Sequence, residues 1–443
     1  MEANTSTLSA TLTEKPTRAR YLILLLVCLM TAANFIGRTN LAVAAPYMQQ
    51  ELGITPAMMG IVFSAFNWTY TLMQLPGGWI VDRFGSRKIY SATMFLWSSF
   101  IGLIGLVSNV TALVVCRLSL GICGAPTYIA NSRIVTAWFP AKERGLAIGA
   151  YIGSQHIGLA FLTPLITWLI VAFSWRYVFY ITGILGVGLA VIWYLVYREP
   201  ANYCRINALE LTHICDGEAL NDSTSESQFS GKDIRQMLKH RQLWGMFIGH
   251  FAMNSTLYFF ITWFPSYLVN AKGLTLIAAG FYAAAPFLAA MAGVTLGGKW
   301  SDWMLSRGYS LGMARKMPMA VGLSFSCCIM LANYTSDIWL IILIMSVGFF
   351  GQGIGTSCGW ALLSDIVPKQ LIGISSGIYN FAANLGGCIT PLVIGFIVQN
   401  TQSYELGLAF VSFIALLGVL AYVFVMGRPY RMELRQDSII GSE

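Results

Sequence analysis

The sequence predicts an all-α membrane protein of twelve transmembrane helices, arranged as two pseudo-symmetric six-helix bundles. Three observations carry this reading. Hydrophobic residues make up 56% and charged residues only 10% of the 443 positions, whereas a water-soluble globule carries about 25% charged residues. Apolar windows of about 20 residues, long enough to cross a hydrocarbon core, recur along most of the chain. The text of the first half also returns in the second, which points to a duplicated unit.

The spans fall near 21–48, 56–80, 89–108, 111–137, 146–171, 177–197, 242–268, 275–299, 317–334, 338–364, 373–398 and 404–426. Basic residues punctuate them in alternation. Arg18 and Arg20 precede the first span, Arg83 to Lys88 lie between the second and third, and Lys142 and Arg144 between the fourth and fifth. The loop 198–241 separates the sixth and seventh, Lys299 to Lys316 the eighth and ninth, and Lys369 the tenth and eleventh; Arg428 to Arg435 follow the twelfth. Connections on the other side hold only Arg176 and Lys272. Because Lys and Arg are retained on the cytoplasmic side of a membrane, both termini are expected there. The net charge of +8 is then a topology signal, and no nucleic-acid partner is needed to explain it. The first apolar run is too long for a cleaved signal peptide and no small-residue cleavage site follows it, so it is expected to remain as a helix.

The nine cysteines include no CxxC pair and sit mostly inside spans, where they act as small apolar packing residues. Neither a structural disulfide nor a metal site is expected. An enzyme is excluded on similar grounds: there is no Gly-rich nucleotide loop with its lysine, no metal-ligand cluster, and no set of nucleophile, base and acid. No cofactor is expected, and energy should come from gradients.

The longest polar interval, 198–241, divides the chain into a cytoplasmic tail (1–20), a first bundle (21–197), the central loop itself, a second bundle (242–427) and a second tail (428–443). "GGWIVDRFGSRK" (77–88) follows the second span and "GGKWSDWMLSRG" (297–308) the eighth. Likewise "FPAKERGLAIGAYIGSQHIGLAFLTPLI" (139–166) parallels "VPKQLIGISSGIYNFAANLGGCITPLVI" (367–394).

With its twelve spans, long central loop and signature at Gly78, Asp82, Arg83, Gly85, Arg87 and Lys88, the chain resembles the major facilitator superfamily over nearly its whole length. Transporters of this group rock two six-helix bundles around a midplane site. Gly77 and Gly78 allow close helix approach, and Asp82 can pair with Arg87 or a neighbouring helix end, so Asp82, Arg83, Arg87 and Asp302 are read as gate residues; the plain alternative is a solvated charged turn. Within the superfamily, "IVFSAFNWTYTLMQLPGGWIVDRFGSRK", "RIVTAWFPAKERG", "FFITWFPSYL" and "YNFAANLGG" are similar to the anion:cation symporter family. The likeness is greatest to its bacterial sugar-acid importers for galactonate and glucarate. It implies a multi-pass protein of the bacterial inner membrane, working as a monomer among lipids.

Two residues cannot be ordinary packing. Arg38 lies mid-span with Asn34 one turn earlier on the same face, and an arginine at that depth costs several kcal/mol unless it faces a wet cavity or an anion. Arg117 begins "RLSLGICGAPTYIANSR", with Gly124 and Tyr128 further along one stripe of the helix. A planar guanidinium donates two parallel hydrogen bonds to a carboxylate, so an anionic substrate is expected. The plain alternative for Arg38 is bonding to backbone carbonyls. The resemblance implies that Arg38 binds the substrate carboxylate and that Arg117 serves coupling.

The glycines before them depart from the pattern. In proton-coupled members of the family an aspartate precedes the first arginine and a glutamate precedes the Ala-Pro of the fourth span; here these are Gly37 and Gly124. Three explanations stay open. His156 or His250 carries the proton, since an imidazole titrates near neutrality; or the protein is an anion exchanger or uniporter, because two unpaired cations oppose closure of the empty carrier; or the glycines are variants that alter coupling.

Polar and aromatic residues at mid-span depth complete a sugar-acid pocket. Tyr70, Gln155, Trp360 and Asn380 match family binding positions, while Asn67, Asn254, Tyr258, Ser357 and Asn384 rest on depth and repeat position. Amides suit a hydroxylated chain because they both donate and accept, although amides also serve to join helices. The leading expectation is a proton-coupled importer of a small organic anion, a hexonate or hexarate. Exchange or uniport is the alternative, and a membrane sensor that moves no cargo is a further one.

Overall fold

In hydrocarbon no water satisfies the backbone, so apolar runs fold as helices that close their own hydrogen bonds. A computed structural model describes residues 17–203, 206–216, 239–368, 372–427 and 429–430. The first half contains α1 (Ala19–Leu52), α2 (Pro56–Phe84), α3 (Ser86–Ile104), α4 (Val110–Trp138), α5 (Ala141–Ala172) and α6 (Trp175–Val196). The second contains α7 (Arg241–Thr262), α8 (Leu276–Ser306), α9 (Leu311–Cys327), α10 (Ile338–Ile366), α11 (Ile372–Thr401) and α12 (Glu405–Leu420). No strand occurs among the described residues.

Polar side chains start many of these helices by accepting a backbone N–H that has no intrahelical partner. Thr55 does so for α2, Asn109 for α4, Thr275 for α8 and Asp337 for α10. Between α2 and α3 the chain turns on Gly85 alone, at φ +78°, a backbone region that side chains with a Cβ rarely enter. That requirement explains the glycine of the signature.

Nine helices among the described residues are long and apolar enough to cross a membrane by length and composition. Those that fall short are α2, α3 and α7. Two of them carry polar groups toward the interior, Asn67 and Tyr70 on α2 and His250 on α7; α3 opens with Arg87 and Lys88.

The structure differs from the expected spans in three places. The seventh was expected to run to 268, but α7 stops at Thr262 and continues as a short turn, Phe264–Ser266, and a π-helical turn, Tyr267–Ala271. Pro265 is the cause, since it lacks an N–H and its ring clashes with the preceding turn. The ninth span begins earlier than 317, and its last part, Cys328–Tyr334, is a 3-10 helix. The central loop was read only as polar, yet it contains a helix, Ala208–Asp216, docked on the start of α1. Glu210 of that helix is fully buried and accepts from the Ala19 and Arg20 backbone N–H groups at 3.2 and 3.3 Å, from Arg20 Nη1 at 3.3 Å and from the Thr17 hydroxyl. Arg20 also pairs with Glu143 at the start of α5, which His213 meets from the loop helix at 3.1 Å.

Packing repeats between halves. In the first, α1 packs on α5, α2 on α4 and α3 on α6; in the second, α7 packs on α11, α8 on α10 and α9 on α12. The halves meet through α2 with α11 and α5 with α8, which exchange under the same correspondence. Along the first seam the Ala57 N–H donates to Gln399 Oε1 at 3.1 Å, Asn67 Nδ2 to the Gly387 carbonyl at 2.9 Å and Asn380 Nδ2 to Gln74 Oε1 at 2.8 Å. Gly60 is required there: a Cβ would stand 2.7 Å from the Pro391 carbonyl oxygen.

The second seam closes only at one end. Gly280 of α8 lies against Thr167 of α5, where a Cβ would meet the Thr167 hydroxyl at 2.2 Å. On the same face of α5, toward the end that holds Thr17 and Gly85, a Cβ at Gly145, Gly149 or Gly153 would meet nothing within 4 Å, and neither would one at Gly298 of α8. Among the described residues, α5 and α8 thus meet closely at Gly280 and leave open space beside these glycines toward the basic end.

Replacing Glu210 with Ala removes the acceptor for the first N–H groups of α1 and leaves Arg20 with Glu143 as its one acidic partner among the described residues. The expected loss is on the order of 1–3 kcal/mol, seen as a lower melting temperature in detergent; an unchanged melting temperature would contradict the docking.

Candidate functional site

The site is built around buried guanidiniums. Arg38 projects from the middle of α1 and is 7% exposed. Its Nε donates to Asn34 Oδ1 at 3.1 Å, the i, i+4 partner expected from the sequence, while Nη2 is buried with no protein hydrogen bond. The charge is instead surrounded by rings: its Cζ lies 4.8 Å from the Phe35 centroid, 4.8 Å from Phe66, 4.9 Å from Tyr70 and 5.9 Å from Trp97. Aromatic faces attract a desolvated cation, worth about 2 kcal/mol each at best. That attraction holds the guanidinium in place without neutralising it.

Arg117 of α4 reaches the same ring from another side of the cluster, 5.2 Å from the Phe66 centroid. Its Nε donates to the Val62 carbonyl at 3.3 Å and its Nη1 is buried without a partner. Backbone bonding, the plain alternative considered for Arg38, thus describes part of Arg117. No carboxylate lies within ion-pair distance of either arginine among the described residues.

The two glycines acquire a common explanation here. A Cβ at Gly37 would stand 3.0 Å from Trp97 Nε1, and one at Gly124 would stand 2.7 Å from Trp97 Cζ3. The indole of Trp97, from α3, is 2% exposed and packs edge-on against Phe66 at 5.5 Å. One tryptophan therefore lies beside both positions: a side chain at Gly124 requires it to shift, and one at Gly37 requires it and Ile101, 3.1 Å away, to give by a few tenths of an ångström.

Around this centre the structure gathers several of the expected residues. Tyr70, Tyr128 and Tyr258 lie within electrostatic range of Arg38. Tyr128 donates to Gln155 Oε1 at 2.7 Å. Asn67 has an unpartnered, buried Oδ1, and Asn384 Nδ2 donates to Asn380 within α11 at 2.9 Å. Gln74, bonded to Asn380, joins the group without having been singled out in the sequence, as do Phe35, Phe66 and Trp97.

Other expected residues stand apart. The hydroxyl of Ser357 donates to the Ile354 carbonyl at 2.9 Å and lies where a Cβ on Gly297 of α8 would touch it, so it packs between α8 and α10. His250 is stacked flat on Tyr379 at 3.9 Å, with Trp360 edge-on at 6.1 Å. Asn254 bonds the His250 carbonyl at 3.2 Å. Trp360 is 41% exposed. His156 is buried, with Nδ1 3.4 Å from the Ile152 carbonyl of its own helix.

For the gate residues, the Asp82 side chain lies outside the described residues. Arg83 rests on Trp79 and Phe84 of its own helix. Arg87 donates to the Tyr194 carbonyl at 2.9 and 3.1 Å, tying α3 to the end of α6. Asp302 pairs with Arg315 at 3.3 Å, which also reaches Asp365 at 3.2 Å. These contacts stay within one half each.

Comparison with known proteins gives a consistent result. Residues 27–391 match the family model of the Major Facilitator Superfamily. The chain is 44% identical over 426 residues to a D-galactonate transporter of Escherichia coli O6:H1, covering 94% of this chain and 98% of the relative. It is 38% identical over 436 residues to the probable galactarate/D-glucarate transporter GarP of Escherichia coli K12, covering 96% and 98%. Among solved structures, the inward-facing, occupied form of a bacterial homolog of the human lysosomal transporter Spinster superposes with a TM-score of 0.74 at 18% identity, over 94% of this chain and 98% of that one. The nucleoside transporter NupG gives 0.68 at 15% identity, over 90% and 98%. These two show a shared fold.

If Trp97 fills the space beside Gly124, the Gly124→Ala variant should be destabilised, and the Trp97→Ala, Gly124→Ala pair should lose less than the sum of the single changes. A coupling of about 1 kcal/mol or more is expected for residues in such contact. Melting temperatures of the four proteins in detergent measure it, and additive losses would contradict the packing.

Proposed function

The chain belongs to the major facilitator superfamily, and on that premise we propose that it carries a small hydroxylated organic acid, a sugar acid, across a membrane by alternating access. One observation carries the reading: a guanidinium in the middle of α1, walled by rings and within electrostatic range of Tyr258 from the second half, with a buried Nη2 that no group among the described residues satisfies. Leaving a buried charge unpaired costs several kcal/mol, and a cargo carboxylate supplies the missing partner. The names of the relatives at 44% and 38% identity support a sugar acid in particular.

The parts divide the work as follows. Arg38 takes the carboxylate, and Asn34 fixes its orientation through Nε. Tyr70, Asn67 and Gln155 from the first half, and Tyr258, Asn380 and Asn384 from the second, offer neutral donors and acceptors to hydroxyls. Residues 21–197 and 242–427 act as the two rocking bundles, with 198–241 between them and both termini in the cytoplasm. On that orientation the parted basic end opens inward and the sealed end faces outward. Gly145, Gly149 and Gly153 then provide a face without side chains, against which α8 can close. The protein works as a monomer in a bacterial inner membrane.

For the energy source, the geometry favours exchange over proton symport. Trp97 occupies the space beside both glycines, and His156 is engaged by its own helix. The cargo is then the counter-charge for Arg38, and the empty carrier returns slowly. Proton symport through His156 remains the competing reading, because its imidazole is buried on α5, the helix that meets α8 of the other half.

Proteoliposomes loaded with unlabelled galactonate are expected to take up labelled galactonate, with uptake reduced at least about tenfold when the inside is empty, whatever the pH gradient. Arg38→Ala and Arg38→Lys should both abolish exchange, since an ammonium offers no planar pair of donors. Uptake into empty vesicles driven by an acidic exterior and lost in His156→Ala would establish symport instead. No uptake in any condition would overturn the sugar-acid reading.

A further inference from the structure

The two halves contribute unequal charge to the site, and this asymmetry bears on which sugar acids fit. Every lysine and arginine of the second half lies at a helix end or beyond: Arg241, Lys272, Lys299, Arg307, Arg315, Lys316, Lys369 and the residues from Arg428 onward. Between them the stretches 242–271, 273–298, 317–368 and 370–427 contain none. Three of these cations are engaged elsewhere: Lys272 donates to the Thr335 carbonyl, Arg315 pairs with Asp302 and Asp365, and Lys316 donates to the Val423 and Gly427 carbonyls.

The second-half wall of the site is therefore neutral. Tyr258, Asn380 and Asn384 supply a phenol and amides. The one titratable base at that depth, His250, has a ring face covered by Tyr379 at 3.9 Å and is 4% exposed. Both mid-depth guanidiniums belong to the first half, and both lie on Phe66. Arg117 is 2% exposed, set behind that ring where it adds field to one pole of the pocket. The site has one cationic pole and one neutral, hydrogen-bonding pole.

We propose that the protein selects aldonates, which carry one carboxylate, over aldarates, which carry one at each end. An aldonate matches its single carboxylate to Arg38 and sets its terminal hydroxyl among the amides of α11. An aldarate in the same pose places a second carboxylate against groups that cannot neutralise it, in a medium where charge-assisted bonds are the strong ones. This inference rests on the sugar-acid reading above and narrows it.

Galactonate and galactarate make the cleanest comparison, because they differ only in whether the far carbon is a primary alcohol or a carboxylate. With wild-type protein in proteoliposomes preloaded with unlabelled galactonate, labelled galactonate should enter at least about tenfold faster than labelled galactarate. Equal rates overturn the inference while leaving the sugar-acid reading intact; entry of neither acid overturns both. Asn384→Arg and Asn380→Arg each add a cation to the neutral pole, and at least one should raise galactarate entry relative to galactonate. If both variants fold, judged by melting in detergent, and neither gains galactarate entry, the discrimination does not come from the neutral wall and the inference fails.

Discussion

Two guanidinium groups rest on one phenyl ring, that of Phe66, in a place where neither meets a carboxylate among the described residues. Much of the first half is arranged around this fact. The rings of Phe35, Tyr70 and Trp97 stabilise the Arg38 charge through their faces without cancelling it, and Asn34 holds one edge of the group from a turn away. What is left is a strong and oriented attraction for an anion. A surface arginine would give a far weaker one, because water and salt screen it.

The same fact shapes the transport cycle. Helix pairs α2 with α11 and α5 with α8 form the seams between halves; Gly60 and Gly395 let backbones meet in the first, and Gly280 admits the Thr167 side chain in the second. At the basic end, α5 presents glycines to open space. Such a molecule can exchange one closed end for the other by rocking, provided that what it encloses is electrically tolerable. On the exchange reading proposed above, with Trp97 lodged beside Gly37 and Gly124, the tolerable content is a bound anion, and occupancy is coupled to closure.

Much of this was legible in the sequence, for identifiable reasons. An arginine in apolar text is rare and costly, so Arg38 and Arg117 announced themselves, and the four-residue spacing placed Asn34 on the Arg38 face. Duplicated text exposed the internal symmetry that the packing repeats. Phe66 and Trp97 stayed hidden because aromatic residues form 13% of the chain, and no spacing tells which ring meets a guanidinium on another helix. Ser357 shows the difference between depth and azimuth: counting residues places it at the right level, but Gly297 of α8 draws that side of α10 into a helix contact. The loop helix was missed because nine residues make a weak pattern, and Glu210 finds its role only when the start of α1 is brought against it. Pro265 was visible, but the π-helical turn that carries the chain beyond it depends on packing against Tyr404 and its neighbours.

The most direct measurement is a structure of the protein with galactonate bound. The account places the carboxylate within hydrogen-bonding distance of Arg38 Nη2, with Trp97 still between Gly37 and Gly124 and the hydroxyl tail toward Asn380 and Asn384. A carboxylate bound elsewhere, with Arg38 left unpaired on its rings, would contradict the central claim.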